Sequence, residues 1–175
     1  MVIVRKATLV DLRPIHDLAW KVFPATYREI LSPEQSDFMM EWMYSIPSLT
    51  AQVLEEGHRY LVAEHAEDGT IAGYVSVQPE NRQDDASGLP LWHLQKIYVD
   101  PDEQGEHLGR RLFEAALAYV RELQGGPAMI HLNVNRHNRA LGFYEHIGME
   151  RVGQGDFDIG HGFYMNDYIM AKRVD

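Results

Sequence analysis

The sequence predicts an α/β fold with a mixed sheet, and three observations carry that prediction. Short β-rich runs and segments of helical period follow one another in the order β-α-α-β-β-β-α-β-α-β-β. The 175 residues, 45% of them hydrophobic, suffice for a buried core and argue against disorder. No internal repeat and no dividing linker interrupts the chain, so residues 1–175 read as a single domain.

Taken in order, Val2 to Ala7 is a β-rich run. Thr8 then stands as an N-cap before Leu9, Leu12, Ile15, Leu18, Ala19 and Val22 at helical spacing. Ser32-Pro33-Glu34-Gln35 reads as an N-cap, a proline at the first helical position and a capping-box glutamine. The helix it opens runs through Phe38, Met39 and Trp42. Pro47 is expected to end that region, with a further short helix within 48–56. Arg59–Glu64 and Thr70–Gln78 read as a hairpin around Glu67-Asp68-Gly69-Thr70. Polar residues 81–90 read as a loop, Leu91–Val99 as a strand, and Gly105–Leu123 as a long helix stopped by Gly125-Gly126-Pro127. Ala128–Val134 is the next strand and Asn138–His146 a short helix closed by Gly148. Glu150–Gly153 and Phe163–Arg173 complete the set as two strands.

Composition narrows the function. There are no cysteines, which removes disulfides and thiolate metal sites and is compatible with a cytoplasmic location. No apolar run is long enough to span a membrane, and early charges argue against a signal peptide. A net charge of -10 with scattered basic residues disfavours nucleic acid and mildly favours a cationic substrate.

Several motifs fail on inspection. Asp100-x-Asp102-x-Gln104-Gly105 begins like a calcium loop, but Arg111 stands where a bidentate glutamate belongs. Gly109 is followed by Arg110-Arg111 rather than by the Lys-Ser/Thr of a phosphate loop. A dinucleotide fingerprint is absent, and the histidines form no i, i+4 helical pair, so no metal is expected. What remains is strand, turn, glycines and helix over "YVDPDEQGEHLGRRLFEAAL". A helix entrance carries unpartnered N–H groups and positive potential, and Gly105 and Gly109 lack side chains that would block a phosphate. This geometry by itself fits a pyrophosphate site and an ordinary strand-to-helix turn equally. In "NVNRHNRALGFYEHIGME", Phe143 and Leu141 read as core, Asn138 as a cap and Gly148 as a helix stop. Tyr144 is the residue those structural readings leave over.

Together the two stretches resemble the GNAT superfamily of acyl-CoA-dependent N-acetyltransferases. Gln104 and Gly109 match the family's Gln/Arg-x-x-Gly-x-Gly/Ala pattern, with His107 in place of the first glycine. Asn138-Arg139-Ala140, set one residue early, and Phe143-Tyr144 through Gly148-Met149 match its later pattern. The tail "MNDYIMAK" and "EWMYS" look like the bacterial branch that includes the polyamine (spermidine/spermine) acetyltransferases.

The resemblance implies a mostly antiparallel sheet of about seven strands, helices on both faces, and a splay between the fourth and fifth strands. It implies acetyl-CoA as cosubstrate and a small-molecule amine as acceptor. Ile97, Tyr98 and Val99 would meet the pantetheine arm and thioester, and a backbone N–H there would stabilise the oxyanion. Backbone groups of Gly105, Glu106, His107, Leu108, Gly109 and Arg110, behind Gln104, would hold the pyrophosphate. Asn138 would contact the cofactor beyond it. Tyr144 matches the family's general acid, protonating the departing thiolate. The amine must lose a proton first, and Glu64, Glu80, His93 and Asp167 are the candidate bases. His107 is expected in right-handed helical geometry with its ring turned away from the phosphates. The rival readings are a non-catalytic acyl-CoA-binding sensor, and a protein N-terminal or lysine acetyltransferase whose open peptide groove segment 81–90 would form or block. The oligomeric state stays open, a homodimer included.

Overall fold

The computed structural model describes residues 1–103 and 107–175. Seven strands form one sheet in the order β1-β2-β3-β4-β5-β7-β6. They are β1 (Val2–Lys6), β2 (Arg59–His65), β3 (Ile71–Gln83), β4 (Pro90–Val99), β5 (Ala128–Asn135), β6 (Glu150–Gly160) and β7 (Phe163–Val174). All neighbours pair antiparallel except β4 and β5, which are parallel. A parallel pair needs a crossover, and the helix α4 (Leu108–Gln124) supplies it.

Helices cover both faces, as expected. On one side lie α1 (Leu12–Tyr27), α2 (Pro33–Tyr44) and α3 (Ile46–Leu54); on the other lie α4 and α5 (Ala140–His146). Strand β2 shows how period-two patterning serves both layers. Its Tyr60 and Val62 pack under α1–α3, while Leu61 and Ala63 pack under α4. Leu108, Leu112, Phe113, Ala116 and Val120 give α4 a buried stripe, and Gly125 in left-handed conformation (φ 72°) ends it.

Several boundaries differ from expectation for local reasons. Thr8 N–H donates to Asp11 Oδ2 at 2.7 Å and caps a 3₁₀ turn, so α1 proper starts at Leu12. Pro47 opens α3 rather than ending a helix, because Ser45 accepts from Ser48 N–H and leaves proline in the first turn. Ser32 does cap α2, but Gln35 does not complete a capping box: its Nε2 donates to Tyr164 O at 2.8 Å. Residues 81–83 continue β3 instead of forming a loop, and the turn behind them is held by Asp84, which accepts from Ser87 N–H and pairs with His131. That turn lies at the start of β4, at the end where β4 and β5 pair. The long helix starts at Leu108, behind His107 as its N-cap; the expected start, Gly105, lies outside the described residues. Strand β6 runs to Gly160, well beyond Gly153, because β7 supplies main-chain pairing that its glycines and aspartates do not advertise.

Candidate active site

Strands β4 and β5 pair only at Leu91–Met129, Trp92–Ile130 and His93–His131. Beyond His93 they diverge, and the sheet opens between its fourth and fifth strands. A register shift between Ser76–Lys96 and Val77–Leu94 leaves Gln95 as the extra residue of a bulge, which bends β4 where the opening begins. Gly73, paired with Val99 on the far side of β4, fits there because it has no Cβ. One would stand 2.8 Å from Tyr98 O.

A cavity of about 530 Å³ fills the opening. Ile97, Tyr98 and Val99 of β4 form one wall, and His107, Leu108, Gly109 and Arg110 form the α4 side. Asn138, Phe143 and Tyr144 close it from around α5. The structure therefore gathers these predicted residues around one space, apart from Gln104, Gly105 and Glu106, which lie outside the described residues. Asn138 is both cap and lining. Its Oδ1 accepts from Ala140 N–H at 2.9 Å, and its Nδ2 donates to Tyr27 Oη at 3.2 Å.

His107 corrects the helical expectation. It is the N-cap of α4 with φ 55° and ψ 31°, left-handed rather than right-handed. Glycine adopts that conformation without cost, whereas histidine is one of the few other residues enriched in it. It is exposed and borders the cavity. Gly109 also has a second use, since a Cβ there would stand 3.3 Å from Phe143 Cζ. The glycine thus seats the Phe143 ring of α5 against α4.

Tyr144 is 9% exposed, and burial raises its phenol further above its ordinary range. It stays protonated at neutral pH, as a proton donor must. Tyr27, at the end of α1, is a lining residue that sequence reading missed. Its hydroxyl lies 3.4 Å from Tyr98 Oη, and burial raises it too. Spacing four residues after Phe23, with ring centroids 4.5 Å apart, gives it the signature of an ordinary core position.

The four candidate bases are scattered. Glu64 ion-pairs with Arg5 at the β1–β2 edge, away from the cavity. Glu80 lies 3.3 Å from His93 Nδ1 and also pairs with Arg82, and its hydrogen bond to His93 holds its pKa down. Asp167 on β7 is buried and its pKa is raised by that burial. Lys96, which the sequence did not single out, is 5% exposed on β4 beneath α2 and α3. Burial lowers it to about 7.

The diverging parallel pair, the helix entrance across it and the buried phenol at its side frame a single cleft. The chain belongs to the GNAT family of acetyltransferases, whose family model matches residues 12–149. It is an N-acetyltransferase with acetyl-CoA as cosubstrate. Over 168 residues it is 26% identical to an uncharacterized N-acetyltransferase in the pepI 3′ region of Lactobacillus delbrueckii subsp. lactis, covering 94% of this chain and 92% of that one. It is 34% identical over 82 residues to the peptidyl-lysine N-acetyltransferase YjaB of Escherichia coli, covering 45% of this chain and 51% of that relative. The PaiA N-acetyltransferase of Thermoplasma acidophilum, solved with coenzyme A, shares the fold with a TM-score of 0.75 at 21% identity, covering 98% of each chain.

Proposed function

We propose that the acceptor is the primary amine of a small molecule, polyamine-like or similarly slender, acetylated by direct attack on acetyl-CoA in the cytoplasm. The observation carrying this reading is the β6–β7 hairpin tip folded onto α2. Phe38 of α2 packs against His161 at 4.6 Å and Phe163 at 5.5 Å between ring centroids, while Gln35 holds Tyr164 O. The hairpin extends past the end of β5, beside the opening, so its closure onto α2 narrows the acceptor side. A folded protein surface would have to displace it, whereas a thin cationic amine would not. The net charge of -10 favours such a cation.

In this reading Ile97, Tyr98 and Val99 present main chain to the pantetheine arm and thioester, with a backbone N–H facing the developing oxyanion. Backbone N–H groups around His107, Leu108, Gly109 and Arg110 receive the pyrophosphate. Asn138 steadies the cofactor near Tyr27, and Tyr144 gives its proton to the departing thiolate. Thiol release from acetyl-CoA is to be measured against spermidine, other small amines, lysine-containing peptides and peptides with free N-termini. Turnover confined to small amines is expected. Faster turnover of the peptides would overturn the choice of acceptor, and no release with any amine would favour a non-catalytic sensor.

A further inference from the structure

Asp167 is 1% exposed, yet the only hydrogen bond to its carboxylate among the described residues is a long one, from Asn133 Nδ2 at 3.4 Å. The nearby basic side chains are engaged elsewhere: Arg136 pairs with Asp156, and the His93 ring lies against Glu80. A buried carboxylate in that condition costs free energy until a cation meets it. Its position suits an incoming one. Asp167 is in register with Asn135, the last residue of β5, four residues past the point where β4 and β5 stop pairing. Alternation along β7 puts it on the same face as Met165, which packs in the layer of Tyr27 and Tyr98.

We infer that Asp167 receives the alkylammonium of the acceptor and is the base that takes its proton. This rests on the N-acetyltransferase reading and deepens it by assigning the base. The other candidates fit less well, because Glu64 pairs with Arg5, Glu80 pairs with Arg82, and the His93 ring is held against Glu80. The protons and bonds balance as follows. Asp167 accepts one proton from R–NH₃⁺, and the freed nitrogen lone pair forms the C–N bond to the thioester carbonyl. The C–S bond breaks, sulfur takes the Tyr144 proton, and the phenol regains one from the new amide nitrogen. Asp167 then loses its proton to water. Burial raises the Asp167 pKa, as a base facing an ammonium requires; Asn133, Arg136 and His93 lower it, and Tyr27 of α1 senses its charge.

The test compares wild type with Asp167→Asn, which keeps the shape and removes a buried charge, so folding should hold. With spermidine as probe, kcat/KM should fall at least tenfold, while the melting shift from acetyl-CoA stays unchanged. With trifluoroethylamine, which is already neutral at the assay pH, the variant should lose far less. The melting shift caused by spermidine itself should vanish in the variant. Unchanged spermidine turnover in Asp167→Asn, or equal losses with both amines, overturns the base assignment alone. A wild type that neither turns over any amine nor binds spermidine overturns it together with the small-amine reading.

Discussion

Replacing Lys96 with methionine should flatten the stability of this protein between about pH 7 and about pH 9. Lys96 Nζ donates to Met43 O at 3.0 Å, Gln52 Oε1 at 2.9 Å and Tyr60 Oη at 2.7 Å, and lies 4.3 Å from the Tyr44 ring centroid. None of these partners carries a charge. Burial therefore dominates and lowers the ammonium to about 7, with Glu56 opposing from a distance. Above that value the folded protein holds this site neutral, while the unfolded chain keeps it protonated up to about pH 10.4. The unfolded state then binds more protons, so stability rises with pH across the window; below the folded pKa the full burial cost is present. At about 1.4 kcal/mol per unit, the gain from about pH 7 to about pH 9 is about 2 kcal/mol. That is ~4–8 °C in Tm for a chain of this size. Methionine has similar length and leaves few groups stranded, since Gln52 Nε2 still reaches Met43 O and Tyr60 Oη still donates to Gln52. Calorimetric melting of both proteins across the window gives the difference directly, with other titrations cancelling. Parallel curves would refute the argument.

Tyr144→Phe should lower kcat by about 10- to 1,000-fold with little change in acetyl-CoA affinity, as loss of a general acid does; single-turnover kinetics with calorimetry checks both. Gly109→Glu should abolish most of the melting shift produced by acetyl-CoA, because the carboxylate repels the phosphates and disturbs the Phe143 contact. Gly73→Ala should destabilise by about 1–3 kcal/mol, since its Cβ would meet the fixed Tyr98 carbonyl at 2.8 Å and Leu112 Cδ1 at 3.0 Å; denaturant melts measure it.

The elements most legible in the sequence were those whose burial is periodic. The α4 stripe from Leu108 to Val120 and the alternation of β2 declare themselves because each side chain meets one layer. The cavity wall from Ile97 to Val99, with Asn138 and Tyr144, was reached through the family resemblance that the two motifs carry, not through any local pattern of its own, and these residues do line one cavity. Tyr27 and Lys96 stayed hidden for a different reason. Their roles come from contacts with Asn138, ahead of α5, and with the α2–α3 junction, distant in sequence and invisible to any local pattern. The extent of β6 was illegible likewise, because main-chain pairing with β7 overrides the weak strand propensity of Gly153, Gly155 and Asp156. His107 failed at a finer scale: one residue decides whether a position is the cap or the first turn, and only the cap needs positive φ.

The divergence of β4 from β5 gives this sheet two edges in its interior as well as the two at its margins. An unpaired edge is ordinarily a template on which a second chain can polymerise. Here the hazard is contained by shape. The gap lies recessed between α1 and α5, begins only beyond His93 and His131, and is flanked by the hairpin tip on α2. An extended thread can slide into it, but a strand belonging to another folded molecule has no straight approach. The same recess that leaves main chain available for a ligand thus protects the protein from aggregating through it.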